Sequence, residues 1–328
     1  MSLDIGIDIG TAHIYVYGKD EGIVLKEPAV IAIDTVNKEV KAVGNEAYAL
    51  IGRNTGNIIT SYIYENKNYL NKDIMLEVLK YIVGKTIGKI KLIRPRMCIS
   101  VHTFEAEECK DIIKECAFDA GARDAVVIES PIAATIGSRV DTRNTSGNII
   151  VDIGERTSAI SVISHGKILK NERLDISGLA FDEVIAEHIR KTYGVIIGRK
   201  YAEDIKLEYA DLNSFAENML ITVKGRSTDD GLLCELPITS YEIRDEFIKV
   251  VDKVACKIKK FADDIDEEIK DDILSRGIIL TGASALIPGL ERLMEEKTGI
   301  TTMVPDNADK ARVTGTGIVL ECTGGNEL

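Results

Sequence analysis

The chain has 328 residues, 45% hydrophobic and 29% charged, with 41 basic against 53 acidic side chains and a net charge of −12. That length suits about two domains, and the composition excludes disordered, collagen-like, low-complexity and coiled-coil classes. The acidic balance repels nucleic acid unless one face is locally basic, so no nucleic-acid partner is expected.

No apolar run approaches the ~18 residues that span a bilayer. The first ten residues carry Asp4 and Asp8 where a signal peptide needs an apolar core, so a cytoplasmic protein is expected. Six scattered cysteines (Cys98, Cys109, Cys116, Cys234, Cys256, Cys322) suit buried thiols in a reducing compartment, and four scattered histidines form no visible zinc or iron cluster.

Short β-rich runs alternate with helical patterns, which indicates α/β architecture. Residues 3–9, 14–17, 23–25 and 29–33 read as a meander of strands with glycine-bearing turns. After Asp73, the apolar residues Ile74, Met75, Val78, Leu79 and Ile82 fall on one helical stripe. A strand over 97–101 follows the break at Arg94-Pro95-Arg96, and a helix over 105–120 ends at Gly121. After a strand over 125–129, Ser130-Pro131 offers an N-cap and first-turn proline for another helix. Residues 148–153 and 159–163 form a second hairpin-like pair, and 181–193 an amphipathic helix. Ile243, Phe247, Val250, Val254, Ile258, Phe261 and Ile265 predict a long helix capped at Ser240. A buried strand over 277–280, the turn Thr281-Gly282-Ala283-Ser284 and a helix over 288–298 follow.

One internal repeat organises the function. Asp8-Ile9-Gly10-Thr11 and Asp152-Ile153-Gly154-Glu155-Arg156-Thr157 each close an apolar strand and precede a second one, about half the molecule apart. Two similar halves would form a cleft with a matching hairpin on each wall. Gly10 and Gly154 allow a tight turn whose amides approach an anion, and Thr11 and Thr157 add hydroxyl donors. Asp8 and Asp152 would organise magnesium through water, because that ion dehydrates reluctantly. A single Asp-x-Gly-Thr is also simply a good turn; two copies after apolar strands favour a triphosphate–metal site. The third glycine turn leaves room for a nucleoside, and Glu203 and Lys206, three apart on a helix, would hold ribose hydroxyls or form an exposed ion pair.

The blocks Ile5-Gly6-Ile7-Asp8-Ile9-Gly10-Thr11-Ala12, Glu27-Pro28-Ala29-Val30-Ile31-Ala32-Ile33-Asp34, Ser146 through Gly154, and Gly277-Ile278-Ile279-Leu280-Thr281-Gly282 resemble the MreB family of bacterial actins, over nearly the whole chain. The resemblance implies an actin-like ATPase fold, with duplicated RNase H-like domains in two lobes and four subdomains around a nucleotide cleft. The first lobe would take residues 1–142 and 307–328, with a small subdomain near 33–72; the second would take 143–306, with one near 179–239. The resemblance further implies ATP with Mg2+, self-assembly into protofilaments, peripheral attachment at the inner membrane face, and guidance of the cell-wall synthesis machinery. The nucleotide would meet Asp8, Gly10, Thr11, Ala12, Gly154, Glu155, Arg156, Thr157, Glu203, Lys206, Gly282, Ala283 and Ser284.

Departures from the family pattern fall on the chemistry. Glu155 and Arg156 stand where the second phosphate loop is a run of glycines; Arg156 would pair with phosphate while Glu155 repels it. Ala283 and Ser284 replace glycines in the third loop, and residues 62–72 lack the family's basic-acidic-glycine stretch. Ser130 occupies the place of the glutamate that positions the attacking water, leaving Asp152 and Glu129 as carboxylates for catalysis. Glu129, one residue earlier on a strand, should face the other way, so weakened hydrolysis is expected. Leu92 and Ile93, between Lys89, Lys91, Arg94 and Arg96, match the family's membrane-inserting loop; they equally suit the start of the strand that follows. Two alternatives are a non-hydrolysing paralogue that regulates filaments and a small-molecule kinase, for which no aspartate base is evident. A superfamily chaperone would need a peptide-binding domain that the chain is expected to lack.

Overall fold

The computed structural model describes residues 4–53, 56–65, 70–87, 94–139 and 147–322. The chain forms two compact units: Met1–Arg143 with Gly166–Ile168 and Lys310–Leu328, and Asn144–His165 with Leu169–Asp309. Leu92 and Ile93 lie outside the described residues.

The first unit runs β1 (Ile5–Ile9), β2 (His13–Gly18), β3 (Gly22–Pro28), β4 (Val30–Asp34), β5 (Val40–Val43), α1 (Asn45–Tyr48), β6 (Ile58–Tyr62), α2 (Lys72–Thr86), β7 (Arg96–Val101), α3 (Ala106–Asp119), β8 (Asp124–Glu129) and α4 (Ser130–Gly137). Its large sheet has the order β3-β2-β1-β7-β8 and its small sheet β5-β4-β6. The central strand β1 is buried along its whole length, as a strand covered on both faces must be. It pairs antiparallel with β2 and parallel with β7. Helix α2 buries the stripe Ile74, Met75, Val78, Leu79 and Ile82, and its N-cap is Asn71, whose side chain accepts from the amides of Asp73 and Ile74. The helix Ala311–Cys322 closes this unit: a Cβ on Gly315 would strike the Ala133 carbonyl and one on Gly137 the Ala311 carbonyl, so the glycines set how near it lies to α4.

The second unit repeats the plan. It runs β9 (Asn148–Ile153), β10 (Ser158–Ser164), β11 (Lys167–Leu174), α5 (Gly178–Tyr193), β12 (Val195–Ile196), α6 (Arg199–Tyr209), β13 (Leu220–Ser227), β14 (Leu233–Thr239), α7 (Ser240–Asp263), α8 (Glu267–Arg276), β15 (Ile278–Thr281), α9 (Leu290–Thr298) and β16 (Thr302–Met303). Its large sheet, β11-β10-β9-β15-β16, has the same order and the same antiparallel-then-parallel pairing as the first. Its core centres on Phe181, Phe247 and Phe261, all buried, with the first two rings edge to face at 4.9 Å. The spaced apolar residues of α7 are the buried face the periodicity predicts.

Two helix starts differ from expectation by one residue. The N-cap of α7 is Thr239, and the Glu242 carboxylate reaches back to its backbone N at 2.8 Å; Ser240 instead donates to the Glu217 carbonyl and accepts from the Met219 amide. The N-cap of α4 is Glu129, because pairing of β8 with β7 continues to the Val101–Glu129 rung and places Ser130 inside the helix.

Candidate functional site

Each unit carries the same closed turn at the end of its central strand. Four residues separate the paired ends Ile9 and Ile14, and four separate Ile153 and Ser158. In the first turn the Gly10 amide donates to the His13 carbonyl at 2.9 Å; in the second the Gly154 amide donates to the Thr157 carbonyl at 3.0 Å. A Cβ on either glycine would stand 2.8 Å from that carbonyl oxygen, so the bend itself demands glycine. The sequences of the two bends diverge after this shared hydrogen bond: Thr11-Ala12 in one, Glu155-Arg156 in the other.

In the first unit Asp8 is buried at the end of β1. Ser100 Oγ, the neighbour across the β1–β7 pairing, donates to Asp8 Oδ1 at 3.0 Å, and Arg312 Nε lies 3.2 Å from Asp8 Oδ2. Ser130 Oγ is 3.4 Å from Ser100 Oγ and donates to the Val101 carbonyl at 2.7 Å. Ser130 therefore joins a buried hydroxyl chain that leads to Asp8, and its hydroxyl does not cap α4. Glu129 pairs with Lys110 at 3.1 Å. Thr11 and Ala12 are both buried, and the Ala12 carbonyl accepts from the Ala29 amide at 2.8 Å.

In the second unit several segments converge on the bend after β9. Thr281 Oγ1 donates to Asp152 Oδ1 at 3.2 Å across the β9–β15 pairing. Gly282 has φ +88°, and a Cβ there would strike the Ile153 carbonyl and come within 2.8 Å of Asp152 Oδ1. The first amides of α5 support the bend: Gly178 N donates to the Gly154 carbonyl and Leu179 N to the Glu155 carbonyl, both at 2.8 Å. Ser284 Oγ would stand 2.7 Å from a Cβ on Gly178, which brings the third turn to the same place.

A charged cluster flanks this bend. Lys206 Nζ lies 2.6 Å from Asp182 Oδ1, with side chains 10% and 2% exposed, and 3.4 Å from the Gly178 carbonyl. Of the two readings of Glu203 and Lys206, the ion pair between them is not the arrangement found: Glu203 pairs with Lys200 at 3.2 Å, while Asp182, projecting from α5, takes Lys206. Arg199 Nη2 is 3.9 Å from Glu155 Oε1. Burial, reinforced by Glu203, pushes the Glu155 carboxyl up, against the pull of Arg156, Lys206 and Arg199. Burial likewise raises Asp182, opposed first by its hydrogen bond to Lys206.

Sequence reasoning missed Ser100, Gly178, Asp182, Arg199 and Arg312. A serine inside the apolar run Met97-Cys98-Ile99-Ser100-Val101 is the signal that could have exposed the first, and a glycine opening a helix the second. Nothing local marks Arg312, about 300 residues from Asp8. Among the described residues no group of three or more His, Cys, Asp or Glu could hold a metal by itself, and no helix is long and apolar enough to cross a membrane.

The model of the family described as MreB/Mbl protein matches residues 2–326. The chain is 33% identical over 318 residues to cell shape-determining protein Mbl of Bacillus subtilis, covering 97% of this chain and 96% of that one. It is 33% identical over 328 residues to cell shape-determining protein MreB of Escherichia coli K12, covering 98% and 94%. MreB5 of Spiroplasma citri bound to ADP superposes with a TM-score of 0.85 at 24% identity over 98% of both chains; the same protein bound to AMPPNP gives 0.82 at 25%, over 98% of this chain and 97% of that one. The fold is actin-like.

Proposed function

Since the chain belongs to the MreB/Mbl family of cell shape-determining actin homologues, we propose that it is an ATP-binding subunit of a bacterial actin filament. Gly10, Thr11 and Ala12 in the first bend and Gly154, Arg156 and Thr157 in the second would meet the phosphates, with the carboxylates of Asp8, Asp152 and Glu155 beside them. Gly282, Ala283, Ser284, Glu203 and Lys206 serve the nucleoside. The observation that carries this reading is the repeated four-residue bend, closed by the same amide-to-carbonyl bond in both units. The AMPPNP-bound relative supports the choice of ligand. Calorimetric titration with ATP, with Asp152→Ala as control, tests it: undetectable binding to the unaltered chain removes the reading.

Magnesium would accompany the triphosphate. Asp152, bonded to a hydroxyl that a metal-bound water could share, fits water-mediated coordination. Asp8 fits poorly, because Arg312 already brings positive charge to its carboxylate.

Hydrolysis is weakened in this proposal. The Ser130 hydroxyl cannot accept a proton at neutral pH as a carboxylate does, and Glu129 is tied to Lys110. Phosphate release from a Ser130→Glu variant, faster than from the unaltered chain, is the expected sign; equal rates would assign hydrolysis elsewhere. Assembly, membrane attachment through Leu92 and Ile93, and organisation of cell-wall synthesis complete the proposal. ATP-dependent light scattering tests the first, and liposome co-sedimentation of a Leu92→Ser, Ile93→Ser variant the second; unchanged sedimentation of that variant would exclude the loop.

A further inference from the structure

The nucleotide reading places phosphate at the bend after β1, and the inference here rests on it. In the first unit the chain passes from the large sheet to the small one through Glu27-Pro28-Ala29-Val30, the end of β3 and the start of β4. That crossing is fastened on both sides. The Ala29 amide donates to the Ala12 carbonyl of the bend at 2.8 Å, and His13, whose carbonyl closes the bend, pairs with Pro28. On the other side the Ile63 amide donates to the Ala29 carbonyl and the Gly44 amide to the Val30 carbonyl, each at 2.9 Å.

Glu27 opens the crossing and is 7% exposed. Its Oε2 accepts from the Tyr81 hydroxyl of α2 at 2.6 Å and from the Asn45 amide, the first of α1, at 2.9 Å. A Cβ on Gly44 would strike the same oxygen, so the glycine, at φ +68°, admits the carboxylate. Burial, reinforced by Glu27, pushes the Tyr81 phenol up, so it remains a donor near neutrality. The nearby cation Lys85 lies over the Tyr81 ring at 5.2 Å and pairs with Glu46. Burying a charge on hydrogen bonds is costly. What these two bonds secure is the crossing, because they tie the end of β3 to α1 and α2 just before the chain reaches the bend through Ala29.

We propose that Glu27 is a positioning residue for the phosphate bend: by holding the crossing against α1 and α2 it fixes Ala29, and through Ala29 the Ala12 carbonyl and the bend amides that meet phosphate. Loosening the crossing lets those amides drift from the phosphate oxygens, and such losses show chiefly as faster release.

The test is release of a fluorescent ATP analogue, bound with magnesium to the full chain and chased with excess ATP, beside urea unfolding of each protein without nucleotide. Tyr81→Phe removes one hydroxyl and should release the analogue about fivefold faster, the coupling expected of neighbouring groups. Glu27→Ala, which loses both bonds, should release it faster still, and adding Tyr81→Phe to that variant should change nothing more. Glu27→Gln, whose carboxamide oxygen can accept both bonds, should stay within about twofold of the unaltered chain. If Glu27→Ala unfolds, Tyr81→Phe and Glu27→Gln carry the comparison. A carboxylate that merely capped α1 would lower stability on removal and leave release from the folded protein unchanged. Release from Tyr81→Phe within about twofold of the unaltered chain, or from Glu27→Gln as fast as from Glu27→Ala, would overturn the proposal while leaving nucleotide binding intact. Absence of binding by the unaltered chain would overturn the nucleotide reading, and this inference with it.

Discussion

Replacing Lys206 by methionine removes the ammonium from a buried pair and keeps the aliphatic stem. Nζ lies 2.6 Å from Asp182 Oδ1, with side chains 10% and 2% exposed, so the partner carboxylate cannot turn to solvent. Breaking such a pair from one side costs about 3–5 kcal/mol, a hundredfold or more in the folding equilibrium. The loss should depend on pH. Burial already raises Asp182, and Lys206 is the chief influence opposing it. A carboxyl whose folded pKa is raised contributes stability below its unfolded value, and that contribution disappears as the pH climbs through the folded one. In Lys206→Met the rise is larger, so the deficit should be greatest at about pH 7.5 and shrink towards about pH 4, the ordinary aspartate range. Urea unfolding followed by circular dichroism at several pH values measures this, and adding Asp182→Leu to the variant should restore much of the stability. A cost under about 1 kcal/mol, or an equal cost at every pH, would refute the buried-pair account.

Other outcomes follow from single contacts. Gly282→Ala should lose about 2 kcal/mol or more in chemical denaturation, because its φ is +88° and the new methyl group would press on the Ile153 carbonyl; a loss under about 0.5 kcal/mol would show that the turn relaxes freely. Burial pushes the Cys98 thiol up to about 12, whereas Cys256 and Cys322 are exposed, so a thiol reagent near neutral pH should label the exposed pair and reach Cys98 only on unfolding. Mass spectrometry reads the order, and equal rates at Cys98 and Cys256 would contradict it. Burial pushes the Glu242 carboxyl up, but bonds from His188, Tyr193 and Thr239 outweigh it and hold it down at about 2. Stability from such a depressed acid is present above the ordinary glutamate range and fades as the pH falls towards 2, so Glu242→Gln should cost about 1–2 kcal/mol near neutrality and progressively less in acid. Thermal melts showing a constant gap would sink that assignment.

The fold was most legible where one period dominates. The stripe from Ile243 to Phe261 on α7 admits a single reading, and the duplicated Asp-Ile-Gly announced two like sheets. The three-stranded sheet of β12–β14 was obscure: Leu220 and Leu233 are 72% and 82% exposed, so apolar residues stand on both faces and blur the alternation that Ile221 and Val223 would otherwise reveal. Cap positions slipped by one because Thr239-Ser240 offers two side chains able to cap, and strand pairing decides between Glu129 and Ser130. In the candidate site the glycine bends were visible as local patterns, since a tight turn is a local demand. Ser100 and Arg312 were not, since pairing between distant strands and helices brings them to Asp8.

The helix Ala311–Cys322 is α10, and its place against β1 has a consequence for how the molecule is made. Gly6 lies so near Thr316 and Gly317 that, although β2 and β7 pair with β1 earlier, the face of the central strand packed on that helix stays uncovered until the helix arrives, about 300 residues after β1 has left the ribosome. At roughly 5–20 residues per second, the first hairpin waits some 15–60 s, incomplete, while the whole second unit is synthesised. The residue whose charge opposes that of Asp8 comes with the same late segment, so a nascent chain acquires its charge-balanced bend and the helical cover of its first sheet in one step.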